Sequence, residues 1–170
     1  MIVVDSAALV DALTVVSGSD ELRAHIARNE LHAPTLIDFE VVSAVRGLTL
    51  GGHLSAERAE DLLTDLDDLR IERWPAEDPL RRRALQLRHN LSAYDAAYVA
   101  LAEAIDCPLL TRDARLARST GHSAQIEVRG PLPVGRRCWP AATSRDDRLM
   151  PELSNQLSNH EFADQHLFAD

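Results

Sequence analysis

Four acidic residues stand where carboxylates can do chemistry. Asp5 follows the apolar triplet Ile2-Val3-Val4 and precedes a stretch rich in Ala and Leu. Asp113 comes just after the run CPLLT at 107–111, and Asp95 opens the segment before that run. Glu40 sits in TLIDFEVVSAVR among apolar neighbours, where a charge needs a partner or an exit to water. In an open parallel sheet, functional groups gather outside the carboxyl ends of the strands. Carboxylates gathered there repel, and a pKa rises unless a cation holds them. Oxygen-only donors favour Mg²⁺ or Mn²⁺, and such an ion activates water against a phosphodiester. Each acid also has a plainer account. Asp5 can cap a helix, Asp95 can favour a helix N-terminus, Asp113 can belong to a turn, and Asp38 and Glu40 can lie on a solvated face.

The elements that would position these acids alternate along the chain. Residues 2–5 read as a buried strand, with helices over 6–15 and Ser19–Asn29. LHAP at 31–34 reads as a short strand, since the residue before proline is biased away from helix. From Thr35, Leu36, Phe39, Val42, Val45 and Leu48 recur three apart beside Val41 and Ala44, a helical face closed by Gly51-Gly52. Ser55 caps a helix to about residue 69, and IERWP at 71–75 is a strand. Pro79 opens the helix PLRRRALQLRHN, and Ser92 caps another to about Asp106. CPLLT, a short helix over 114–119 and the strand QIEVR at 125–129 complete the pattern. Alternating strands and helices predict an α/β fold, a mostly parallel sheet with helices on both faces. Residues 1–130 form this domain; 131–170, scattered with Pro, Ser, Asn and Asp, read as an irregular or partly helical extension.

Composition narrows the chemistry. The formal charge is −9 with pI near 5.2, which argues against nonspecific nucleic-acid binding. All 18 basic residues are Arg, so any lysine-dependent mechanism is excluded. That disfavours receiver domains and haloacid-dehalogenase-like phosphatases, and Ala7 stands where the latter need a second Asp. Cys107 and Cys138 make neither a disulfide framework nor a metal pattern. No apolar run approaches a membrane span and no secretory signal is evident, so a cytoplasmic protein is expected.

The blocks VVDSAALV, LIDFEVVSAVR, LSAYDAAYVALAE and LLTRDARLAR closely resemble the four signature regions of PIN-domain ribonucleases. The likeness is closest to VapC-type toxins and covers about residues 1–130. It implies a three-layer PIN-like fold and a Mg²⁺- or Mn²⁺-dependent endoribonuclease leaving 5′-phosphate and 3′-hydroxyl ends. It places the acids on Asp5, Glu40 and Asp95 as the main metal ligands, with Asp113 binding directly or through water. Ser6 and Thr111 match the hydroxyls that support the acids. The resemblance further implies structured RNA such as tRNA or rRNA as substrate, a VapB-type antitoxin seated near helices 35–50 and 55–69, and a homodimer. The extension is the departure, because such toxins normally stop near residue 130.

Basic residues supply candidate RNA contacts. Arg81 and Arg88 share a helix face at i, i+7; Arg112, Arg115 and Arg118 recur three apart after the run CPLLT. A solvated face is the alternative for all of them. The seven histidines form no HxH or HxxxH pair and read as surface or capping residues. Tyr98 reads as core packing, Tyr94 as a rim residue, and Asn90 as ordering the loop before its helix. Two other readings stay open: a PIN-like scaffold that binds RNA or protein without cutting, and a DNA nuclease using the same site.

Overall fold

The computed structural model describes residues 1–14 and 19–129. The extension expected at 131–170 lies outside the described residues.

The β-branched triplet Ile2–Val4 forms strand β1, buried along its whole length. Asp5 ends it and caps helix α1 (Ser6–Leu13). Helix α2 (Asp20–Ala27) leads to β2 (Leu31–Pro34), then α3 (Ile37–Leu50), α4 (Ala56–Asp68) and β3 (Ile71–Trp74). Helices α5 (Asp78–Gln86) and α6 (Ala93–Ala104) precede β4 (Leu109–Thr111). A single 3₁₀ turn (Leu116–Arg118) joins β4 to β5 (Ile126–Val128).

The five strands lie in the order β3-β2-β1-β4-β5, and every pairing is parallel. Val3 pairs with Leu109 and Val4 with Leu110, so β1 and β4 end side by side. The chain moves from β1 through β2 to β3, then jumps back across β1 to β4. With right-handed crossovers, that reversal puts α1–α4 on one face and α5–α6 on the other. The packing agrees: α1 touches α2, α3 and α4, while α5 packs on α6 and α6 lies on β1, β2 and β4. The result is the three-layer α/β architecture. The reversal also opens a crevice at the carboxyl ends of β1 and β4.

Caps set the helix starts. Ser55 accepts a hydrogen bond from the Arg58 N–H at 3.1 Å, and Ser92 accepts one from the Asp95 N–H at 3.1 Å. Beyond α6, Asp106 adopts a left-handed φ of 50° and turns the chain toward β4.

Two expectations need correction. The buried face of α3 is Ile37, Val41, Ala44 and Val45, whereas Phe39 is 81% exposed and Val42 43%. A strict three-residue spacing drifts around a helix of 3.6 residues per turn; only the i, i+4, i+7 combination holds one face. Helix α5 also stops at Gln86, so Arg88 lies in the turn beyond it and shares no helix face with Arg81. The other element boundaries agree with the sequence reading within about two or three residues.

Candidate active site

Asp5 stands at the crevice. Its N–H continues the sheet by donating to the Leu110 carbonyl at 3.0 Å. Its Oδ1 accepts the Ala8 N–H at 2.7 Å, which caps α1, and its Oδ2 accepts the hydroxyl of Thr111 at the end of β4. Thr111 is fully buried, and the same hydroxyl oxygen accepts the Asp113 N–H at 2.9 Å. Burial raises the Asp5 pKa to about 6; the bonds from Thr111 and Ala8 oppose the rise, and the charges of Glu40 and Asp95 add to it.

Glu40 comes from the first turn of α3. Its Oε2 accepts the phenol hydrogen of Tyr98 on α6, and the Ser6 hydroxyl adds a hydrogen-bonding interaction to both groups. Its pKa is raised, first by burial and then by the Asp95 charge. Asp95 lies in the first turn of α6, and Ser92 donates its hydroxyl to Asp95 Oδ2 at 2.8 Å. Asp5, Glu40 and Asp95 thus come from three segments, feel one another's charge, and each take a hydrogen bond from a neutral hydroxyl.

Asp113 is held differently. Arg115 grips it through Nε and Nη2, at 3.0 and 2.7 Å from Oδ2, and the Arg115 N–H reaches Oδ1 at 2.8 Å. This pairing lowers the Asp113 pKa. Asp113 joins the other acids through Thr111, whose hydroxyl serves both Asp5 and the Asp113 backbone.

Among the described residues, no three His, Cys, Asp or Glu side chains form a ready metal-binding group. The donor chemistry still suits a hard cation: every candidate donor is oxygen, and burial with like charge disfavours the ionised forms of Asp5 and Glu40. Mg²⁺ keeps several waters and is usually held by one or two carboxylates, so tight convergence of three is not required.

The candidate RNA-binding arginines divide. Arg112 is largely sheltered, pairing with Asp11 on α1 at 2.7 Å and donating to the Arg129 carbonyl at 2.9 Å. It ties α1 to the β4–β5 edge. Arg81 is exposed, bonded to the Ala76 carbonyl and 3.7 Å from Asp78. Arg88 donates to the Leu85 carbonyl at 3.2 Å. Arg115 is exposed but engaged with Asp113.

Tyr98 is the site residue that sequence reasoning missed. It packs in the core as expected, yet its phenol reaches Glu40. A signal existed: Tyr98 lies three residues after Asp95 on one helix face, and a buried tyrosine hydroxyl needs a partner.

A model of the PIN domain matches residues 2–121. The chain is 43% identical over 127 residues to Ribonuclease VapC1 of Mycobacterium tuberculosis, spanning 74% of this chain and 96% of the relative. It is 36% identical over 128 residues to Ribonuclease VapC12 of the same organism, spanning 75% and 98%. The fold is similar to the crystal structure of VapBC2 from Rickettsia felis bound to a DNA fragment from their promoter. That likeness has a TM-score of 0.56 at 16% identity and covers 75% of this chain and 98% of that one. The acids in their four blocks, the all-parallel sheet and these relatives agree, and the chain belongs to the PIN-domain family and, within it, to the VapC ribonucleases.

Proposed function

We infer that this protein is the endoribonuclease toxin of a toxin–antitoxin pair, cutting RNA at a site built on Asp5, Glu40 and Asp95. What supports this is Asp5 at the end of β1, bonded to the buried Thr111 hydroxyl at the end of β4, with the charges of Glu40 and Asp95 near enough to raise its pKa further. They would hold Mg²⁺ or Mn²⁺, with Asp113 as a further direct or water-mediated contact. A divalent cation there supplies an activated water and neutralises charge at the phosphate. Thr111 orients Asp5 and spaces the Asp113 backbone from it. Ser92 orients Asp95. Exposed Arg81, Arg88 and Arg115 are proposed as contacts to the RNA backbone; Arg112 is instead held by Asp11 and the Arg129 carbonyl.

The targets proposed are structured RNAs such as tRNA or rRNA, met in the cytoplasm. No described helix is long and apolar enough to cross a membrane. The proposed seat of a VapB-type antitoxin is on α3 and α4, where Asp38, Val42, Leu63, Leu66, Asp67 and Arg73 line a groove. A homodimer is also proposed, following the family.

The test incubates purified RNA, and DNA in parallel, with protein and either Mn²⁺ or Mg²⁺, beside Asp5→Asn and Asp95→Asn. The expected result is metal-dependent RNA fragments with 5′-phosphate ends from the wild type only. Equal cutting by both variants would place the activity elsewhere. Inertness toward RNA with both metals, without antitoxin, would favour the scaffold reading.

A further inference from the structure

The Glu40 carboxylate receives its hydrogen bonds from hydroxyls. Tyr98 donates to Oε2, and Ser6 interacts with both the carboxylate and the phenol. Among the described residues no arginine or histidine pairs with Glu40, although arginines grip Asp113, Asp38 and Glu103. A guanidinium would fix Glu40 and neutralise it. A phenol fixes it and leaves its charge available. Tyr98 is 3% exposed, so its ring is locked by packing and its hydroxyl has a defined position. It comes from α6, the helix that carries Asp95 three residues earlier, whereas Glu40 comes from α3 on the opposite layer. The bond therefore spans the carboxyl edge of the sheet and couples two acids that reach the crevice from opposite faces.

We propose that Tyr98, steadied by Ser6, is a positioning residue that aims the Glu40 carboxylate at a divalent cation. This rests on the proposed site. Tyr98 touches neither the substrate nor the reacting atoms; it acts through Glu40. A tyrosine that served packing alone would be replaced by phenylalanine without consequence for metal binding, because the ring is retained.

The experiment titrates the whole chain with Mn²⁺ alone, by calorimetry, for wild type, Tyr98→Phe, Ser6→Ala, Glu40→Gln and the Tyr98→Phe/Glu40→Gln double variant. RNA cleavage is measured beside it. Tyr98→Phe is expected to weaken Mn²⁺ binding about tenfold, the scale seen when an outer partner of a metal ligand is lost. The cleavage kcat should fall similarly, with KM for RNA unchanged. On the Glu40→Gln background the Tyr98 substitution should add nothing, since its route is gone. Ser6→Ala, which leaves the core ring in place, should weaken Mn²⁺ binding by a smaller factor, and it carries the test if Tyr98→Phe does not fold. Wild-type Mn²⁺ affinity in folded Tyr98→Phe, or in Ser6→Ala, overturns the positioning role. Wild-type affinity and cleavage in Glu40→Gln would instead remove the metal site itself, a distinct failure.

Discussion

The Thr111 hydroxyl donates to the Asp5 carboxylate and, through the same oxygen, receives the backbone N–H of Asp113. One buried atom thus sets the spacing between the acid that follows β1 and the acid that follows β4. Thr111→Val keeps the shape and removes that atom. Cleavage should fall by about tenfold or more. Stability should fall by about 1–3 kcal/mol, because the Asp113 N–H and Asp5 each lose a partner. Initial cleavage rates and urea unfolding at pH 7 check the two effects.

The raised pKa of Asp5 has a defined sign. An acid at about 6 in the fold, against 3.8 in the open chain, binds its proton more tightly when folded. No stability is lost to it below pH 4. The loss grows as pH rises from about 4 to about 6 and is complete above that, on the order of 2–3 kcal/mol. Asn caps a helix as well as Asp. Asp5→Asn should therefore flatten the stability of the metal-free protein between pH 4 and pH 6. Thermal melts across that range decide it; a profile as steep as the wild type's would contradict this sign.

Metal should reverse that loss. Mn²⁺ binding only the folded state, at about 100 times its Kd, adds about 2.7 kcal/mol. The wild-type melting temperature should rise with Mn²⁺ and return with chelator, while Asp5→Asn and Glu40→Gln should respond far less. Cleavage should vanish with chelator and recover on adding Mn²⁺.

Away from the crevice, Arg83 and Glu103 form a clamp. Glu103 receives Arg83 at 2.6 and 2.9 Å and the Ser123 N–H at 2.8 Å, and Arg83 also reaches the Gly121 carbonyl at 3.0 Å. The clamp joins α5, α6 and the loop before β5. The Arg83 bond holds the Glu103 pKa down at about 2, so its stabilisation is present above pH 4.5 and is lost as pH falls toward 2. Glu103→Gln should cost about 1–3 kcal/mol at pH 7 and remove that acid-side loss. RNA cleavage per folded molecule should stay unchanged, since the clamp touches none of the four acids.

Much of this was legible along the chain. β-branched and leucine-rich runs, proline positions and serine caps marked every element, because each is a local preference. The four acids were legible because each sits at an element boundary or stands out among apolar neighbours. Side-chain pairing was less legible. Tyr98 and Glu40 are 58 residues apart, and no local pattern reports a contact made through tertiary packing. Arg115 read as part of a basic stripe, whereas a carboxylate two residues away claims its guanidinium. The exposed side of α3 was misjudged for a different reason: Phe39 and Val42 belong to a strict three-residue spacing, which drifts off the buried face of Ile37, Val41, Ala44 and Val45.

The order of the strands also has a meaning in time. β1 leaves the ribosome first, yet its central place in the sheet needs β4, and Asp5 meets Thr111 across 106 residues. A chain still being made can hold Asp5 and Glu40 long before it holds Asp95, Thr111 or Asp113. The completed site is thus withheld until translation has passed the last of them.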